Sequence, residues 1–332
     1  MARALRIWLV LAAAALVVIV FALTTGSSGI ALPEVVRVLF APDASPAAEV
    51  VHQLRLPRIF AAFATGGLLG VAGALMQILL RNPLADPYIL GLSGGSAAGA
   101  LGAMVAGAGA FAIDACAFGG ALVSVAIVFG VANRDLARLE APGAIDPSPR
   151  LLLTGVILAA GWSALITLLL SIAPEAKLRG MLFWLMGDVS ASATLLPALV
   201  AVPVVLALVL PFARDCNVLL QGPAVAHALG VRVTRVRAVA YVAAAIAAAV
   251  AVMTAGAVGF VGLVVPHALR LACGNDQRVL LPASALAGGA LLVIADTAAR
   301  TIVAPLQLPV GVITAFLGVP AFLFLLSRRT TR

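Results

Sequence analysis

The sequence predicts an all-α polytopic membrane protein with about ten transmembrane helices, and three observations carry that fold class. First, 63% of the residues are hydrophobic and only 10% are charged, with a mean hydropathy of +1.17. Soluble domains are roughly half apolar and a quarter charged, so no water-soluble fold of this length could bury so much apolar surface. Second, apolar runs recur along the whole chain with short polar breaks, each near the roughly 20 residues that cross a bilayer. Third, the basic residues collect in those breaks, most of them on one side.

The predicted spans run, in order, over 5–24, 58–80, 89–109, 112–133, 150–173, 191–212, 236–256, 257–272, 281–299 and 309–327, within a single domain of residues 1–332. Arg3 and Arg6 lead into an apolar run from Ile7 to Leu23. That run is long for the core of a signal peptide and further spans follow it, so it reads as an uncleaved first helix. In the second span Gly66, Gly67, Gly70 and Gly73, and in the third Gly91, Gly95 and Gly99, stand at GxxG and GxxxG spacings. In lipid no hydrophobic drive pulls helices together, and small residues let backbones approach closely instead. Thr65, Gly67, Gly70 and Gly73 share their spacing with Thr254, Gly256, Gly259 and Gly262, which is either an internal repeat of the kind transporters carry or a coincidence between Gly-rich spans.

Between the sixth and seventh spans lies a loop of about residues 214–232 that contains Gly222-Pro223 and ends its short apolar run at Leu229-Gly230. Proline at the first helical position loses no hydrogen bond, and glycine suits the left-handed stop. So short a helix is marginal in water alone, and it must dock on its own protein or on a partner.

An even number of spans puts both termini on one side. With that side cytoplasmic, only Arg37, Arg55, Arg58, Lys177, Arg179 and Arg300 of the 21 basic residues fall outside. The rest fall inside, among them Arg138, Arg328, Arg329 and Arg332, as the positive-inside rule requires. The net charge of +8 is thereby a topological signal, and no nucleic-acid partner is expected.

The chemistry that is missing narrows the function. A phosphate-binding GxxxxGK[ST] loop needs a lysine, and the only lysine, Lys177, has no such motif around it. Within the spans only Asp114 and Asp296 are acidic, both near the outer end, and His52, His227 and His267 lie at or outside span ends. Coupling to an ion gradient usually leaves ionisable groups near the bilayer midplane, so a gradient-driven transporter is disfavoured. Cys116, Cys216 and Cys273 are far apart, and neither a disulfide framework nor a metal site is indicated. Without a Ser/His/Asp or HExxH constellation, the chain reads as a conduit driven by another polypeptide, with a non-transporting scaffold as the alternative.

Several longer motifs stand in order: Gln53-Leu54-Arg55-Leu56-Pro57-Arg58, then Met76-Gln77 with Arg81-Asn82-Pro83-Leu84-Ala85-Asp86-Pro87, then Leu90-Gly91-Leu92-Ser93-Gly94-Gly95. Further on come Gly259-Phe260-Val261-Gly262 through Pro266-His267, Ala295-Asp296 through Arg300, and Leu308-Pro309-Val310-Gly311. Over nearly the whole chain these resemble the FecCD family, the permeases of type II ABC importers for iron-siderophores, haem and vitamin B12. The resemblance implies the type II importer permease fold, a homodimer with one path along its axis, two ATP-binding cassette subunits that hold ATP and Mg, and a periplasmic substrate-binding protein. It also implies the bacterial inner membrane as location and no cofactor in this chain.

By the same resemblance Arg55, Arg58 and Arg300 would meet Glu residues of the binding protein, a pairing that suits guanidinium. Asn82, Pro83 and Leu84 would form a cytoplasmic gate, and Gly222, Pro223, Ala226, His227, Leu229 and Gly230 would enter a groove on the ATPase. The chain departs from the family in two places: Pro223 and Ala224 stand where acidic residues are common, and Gln307 replaces a Glu. The stretch Lys177 to Gly187 is expected to be an outer loop facing the substrate. Its Arg179, Phe183, Trp184 and Met186 suit a flat macrocycle with carboxylates, or alternatively an interfacial belt. Haem is the cargo expected first, ahead of cobalamin and ferric siderophore, because similar loops occur in haem and cobalamin permeases of the family.

Overall fold

A computed structural model describes residues 2–26, 30–41, 43, 45–137, 148–189 and 195–327; Arg138, Arg328, Arg329, Arg332 and the start of the 191–212 span lie outside them. All regular structure among the described residues is helical. The helices are α1 (Ala2–Thr24), α2 (Leu32–Phe40), α3 (Pro46–Glu49), α4 (Leu56–Leu79), α5 (Leu92–Val105), α6 (Ala110–Ala137), α7 (Ser148–Ile172) and α8 (Glu175–Leu185). They continue with α9 (Leu195–Val209), α10 (Ala213–Leu219), α11 (Pro223–Ala228), α12 (Val233–Ala255), α13 (Val261–Cys273), α14 (Gln277–Thr301) and α15 (Val310–Ser327). A π-helical turn over Val50–Arg55 joins α3 to α4, and short 3-10 turns over Pro87–Leu90 and Leu210–Phe212 precede α5 and α10.

Seven of these stretches are long and apolar enough to cross a membrane, and α5, α13 and α15 are shorter apolar helices, which agrees with about ten spans. The central one is α4, which α14, α12, α13 and α9 surround. Glycine makes that enclosure possible. A Cβ on Gly66 would stand 2.2 Å from the Gly288 carbonyl oxygen, one on Gly70 2.3 Å from that of Ser284, and one on Gly73 1.8 Å from that of Gly262. Helix backbones therefore touch directly, and dispersion between them replaces the drive that lipid withholds. α4 begins beside α2 and α3 and ends about 36 Å away at 1.5 Å per residue, where Arg81 Nη1 lies 3.8 Å from the Cβ position of Gly222. The bundle thus has an α2 end and an α11 end.

Two predicted spans are corrected. The stretches 89–109 and 257–272 contain α5 and α13, of 14 and 13 residues, only about 20 Å each against a hydrocarbon core of about 30 Å. Glycine and strained turns cut them short: Gly91 (φ +72°) opens α5, while Gly256 (φ +65°) ends α12 and Phe260 (φ +69°) precedes α13. Backbone freed by such breaks must be satisfied inside the protein, and the Val258 N–H does donate to the Tyr88 hydroxyl at 3.2 Å. This break also separates the two Gly-spaced segments. The one at 65–73 is continuous helix and the one at 254–262 spans the end of α12, the break and the start of α13, so equal spacing does not make equal structure.

The predicted outer loop at 177–187 is likewise helix, α8. Pro174 precedes it, Glu175 sits in its first turn where the helix dipole favours an anion, and Gly187 (φ +83°) follows its end. Lys177 anchors it, donating from Nζ to the Met104 and Val105 carbonyls at 2.8 and 3.3 Å, at the end of α5 where carbonyls run short of helical partners.

Candidate functional site

At the α2 end a carboxylate gathers two guanidiniums. Asp296, buried near the end of α14, accepts from Arg58 Nε at 3.0 Å and Nη2 at 2.8 Å and from Arg300 Nε at 3.2 Å. Arg58 comes from the first turn of α4 and Arg300 lies one helical turn beyond Asp296, so the contact between α4 and α14 builds the cluster. The remaining nitrogen of Arg58, Nη1, donates to Gln307 Oε1 at 2.9 Å, which supplies a partner for the residue whose departure from the family pattern the sequence left unexplained. Arg55 does not join them. It is 4% exposed and donates from Nη1 to the Leu23 carbonyl, tying the end of α1 to the turn before α4. Arg55, expected as a docking contact, is here held by its own chain.

Gln307 also lines a cavity of about 880 Å³ whose wall includes Met104, Lys177, Arg179, Met181, Phe183, Trp184 and Asp188. Helix α8 supplies most of that wall, and the Arg179 guanidinium lies 5.7 Å from the Phe183 ring centroid, within cation–π range. Arg179, Phe183 and Trp184 therefore share one cavity wall, whereas Met186 is not on it. It lines a second, apolar cavity of about 600 Å³ with Phe260, Gly311, Phe316 and Val319. Between the two, backbone meets backbone: Asp188 N–H donates to the Ala255 carbonyl at 2.9 Å and Val310 N–H to that of Gly187 at 3.0 Å. A Cβ on Gly256 would stand 2.2 Å from the Trp184 carbonyl oxygen, and one on Gly311 equally close to that of Met186. In the sequence Gly256 stands out only for its spacing and Gly311 only for its motif, and neither signal tells of these close approaches.

The turn after α4 is held by its own asparagine. Asn82 Oδ1 accepts from Leu84 N–H at 2.9 Å and the Asn82 carbonyl accepts from Ala85 N–H at 3.1 Å, an Asx-type turn that leaves Asn82 and Leu84 exposed and Pro83 partly so. Asp86 then accepts from Tyr88 N–H at 2.8 Å, and burial pushes its carboxyl up to about 6. A folded-state value above the unfolded one means that ionisation opposes folding. The penalty is absent below about 4, grows as pH rises through about 6, and is constant beyond. Asp86→Asn is expected to be the more stable protein above pH 6 by about 3 kcal/mol and indistinguishable near pH 4, as read from unfolding midpoints across that range.

α11 is the short helix that Gly222 and Gly230 bracket, with φ of +115° and +77° at those glycines and Pro223 at its first position. Its two faces differ. Ala226, expected at the ATPase contact, is fully buried on its own chain, its side of α11 packing toward α10 and α12. Val225, His227 and Leu229 face outward, Leu229 being 67% exposed. The base beneath α11 is firm: Asn217 of α10 donates to Asp276 Oδ1 at 2.9 Å and accepts from Gln277 N–H at 2.8 Å, fastening α10 to α14.

Among the described residues no group of three or more His, Cys, Asp or Glu is placed to hold a metal ion. A glycine-packed bundle of apolar helices, with an arginine cluster and an adjoining cavity at one end and an exposed short helix at the other, marks an integral membrane protein. Residues 14–328 match the FecCD transport family, and the chain belongs to it. The cobalamin import system permease protein BtuC of Halobacterium salinarum is 41% identical over 286 residues, covering 85% of this chain and 74% of that one. The vitamin B12 import system permease protein BtuC of Escherichia coli O127:H6 is 39% identical over 292 residues, covering 86% of each. The inward-facing structure of a metal-chelate type ABC transporter superposes with a TM-score of 0.84 at 29% identity, covering 97% of this chain and 99% of that one. The fold is accordingly that of a type II ABC importer permease, and the chain is a transport permease.

Proposed function

We propose that this chain works as a homodimer beneath a periplasmic substrate-binding protein and above two ATP-binding cassette subunits that hold ATP and Mg, moving a bulky metal chelate into the cytoplasm. The observation that carries the reading is the double role of Gln307, which accepts from Arg58 and also lines the 880 Å³ cavity. A protein docked on Arg58 and Arg300 would release its cargo beside Arg179, Phe183 and Trp184. The distribution of basic residues supports cytoplasmic termini, an outward α2 end and an inward α11 end. At the inward end Asn82, Pro83 and Leu84 act as the gate, and Val225, His227 and Leu229 of α11 meet the ATPase.

For the cargo, the relatives named for cobalamin and vitamin B12 import support a corrinoid. Haem is the second reading, favoured by Arg179 standing over Phe183 at the cavity wall, where it could meet a propionate. In nanodiscs containing the chain and its cassette subunits, binding protein loaded with cyanocobalamin is expected to stimulate ATP hydrolysis more than the empty protein. Stimulation by a haem-loaded protein alone selects the second reading, and a rate indifferent to both removes the proposal. Leu229→Arg is expected to cut the stimulated rate by about tenfold, the effect of about 1.4 kcal/mol at the contact, with the dimer intact by size-exclusion chromatography. An undiminished rate would remove α11 from the coupling path.

A further inference from the structure

At the α11 end a guanidinium is laid over an aromatic ring. Arg235, in the first turn of α12, has its Cζ 5.3 Å from the centroid of the Phe212 ring, in the 3-10 turn after α9, within cation–π range. Hydropathy ends one span at 212 and begins the next at 236, so the pair lies where hydrocarbon gives way to water. A guanidinium over a ring keeps its N–H donors, which radiate in its own plane. Carboxylates are unevenly shared at this end. Arg278 is paired with Asp276 at 2.8 Å, whereas Arg214, Arg232 and Arg235 have no carboxylate partner among the described residues.

The same ring stands at the foot of an apolar ridge. Leu196, Val200, Val204 and Leu208 of α9 are all exposed and stand four residues apart, and Phe212 is next in the same spacing. Residues four apart share one face of a helix, so this face of α9 is open to lipid. From Val200 to Leu208 the ridge runs about 12 Å, close to the roughly 15 Å of hydrocarbon in one leaflet. Ridge and guanidinium together match a molecule that is apolar over that length and anionic at its end. We propose that Arg235 and Phe212, with Arg214 two residues further on, form a binding site for an acidic phospholipid of the cytoplasmic leaflet, its phosphate on the guanidinium edges and an acyl chain along Val200, Val204 and Leu208. A soluble subunit that meets α11 has nothing to lay in the hydrocarbon beside α9. A zwitterionic lipid offsets with its own cation the charge that the arginines attract. The site involves neither cargo nor docking, and only its assignment to the cytoplasmic leaflet rests on the orientation proposed above.

The test uses the full chain in detergent micelles and native mass spectrometry, which reads the affinity for dioleoyl phosphatidylglycerol and for dioleoyl phosphatidylcholine. The wild type is expected to hold phosphatidylglycerol about fivefold more tightly or better, the scale of one basic residue near an acidic lipid surface. Arg235→Gln is expected to lower that affinity about fivefold and to leave phosphatidylcholine unchanged, which also shows that the fold persists. Phe212→Leu keeps the charge but loses the ring, and is expected to lower it about threefold. Arg278→Gln removes an equal charge that Asp276 already holds, and is expected to leave it as it is. Glycerol 3-phosphate at equal concentration has no chain for the ridge and is expected not to compete. Equal affinity of the wild type for the two lipids, an unchanged affinity for phosphatidylglycerol in Arg235→Gln or Phe212→Leu, the same loss in Arg278→Gln, or competition by glycerol 3-phosphate would each overturn the site. So would an Arg235→Gln chain that keeps its lipid and loses its hold on the cassette subunits, because the guanidinium would then serve the ATPase.

Discussion

Asp296→Ala is expected to lower the stability of the protein by about 3–5 kcal/mol, the range for breaking a buried ion pair from one side. The carboxylate is nearly inaccessible, and the Arg58 and Arg300 side chains are 13% and 11% exposed, so its loss leaves two guanidiniums close together without their shared counter-ion. Their mutual repulsion adds to the desolvation that the carboxylate had offset. Unfolding in detergent, followed by helical signal, would measure the loss. Replacing all three charges by Leu is expected to recover much of it, because removing a buried ionic group whole is often close to neutral. A melting curve for Asp296→Ala that overlays the parent's would show that water already solvates the cluster.

Gly73→Ala is expected to be comparably severe, costing about 3 kcal/mol or more as an overpacked contact. The added Cβ would stand 1.8 Å from the Gly262 carbonyl oxygen and 2.6 Å from its Cα. Backbone, unlike the end of a side chain, cannot swing aside, so α4 and α13 would have to separate. Gly119→Ala in α6 is the control, since nothing stands within 4 Å of its Cβ position; it is expected to be neutral within about 0.5 kcal/mol or slightly stabilising through helix propensity. Equal melting temperatures for the two variants would mean that the close approach carries no energetic weight.

Hydropathy made the number of spans legible because a bilayer demands length and apolarity of each segment separately. It could not reveal that α5 and α13 stop short, since Gly256, Phe260 and Gly91 lie in sequence as apolar as the helices they interrupt. The bracket of Gly222, Pro223 and Gly230 located α11 because helix punctuation is local. Which of its residues face outward was not local: Ala226 is turned inward by the packing of α10 and α12. Likewise, charge placed Arg55 and Arg58 together on the outer side, but only the fold gives one the Leu23 carbonyl and the other Asp296. α8 was read as a loop because Lys177, Arg179 and Glu175 interrupt its hydropathy, whereas in the fold Glu175 sits in its first turn, Lys177 ties it to α5 and Arg179 lines the cavity.

The enclosure of α4 also decides which parts of this chain are free to drift. Of the most apolar window in the stretch Pro46–Leu79, 89% is buried inside the protein, against 6% of the window at Leu153–Ile172 in α7. Taken alone, the two are nearly interchangeable in hydropathy, at 1.9 and 2.1. A residue of α7 answers mainly to the lipid or surface beside it, and one aliphatic side chain serves there about as well as another. A residue of α4 answers to fixed neighbours on every side, so its volume rather than its apolarity is what substitution tests. In a saturation library selected for transport, α7 should accept Leu, Ile, Val and Phe almost indifferently, while α4 keeps its Gly and Ala positions nearly unchanged.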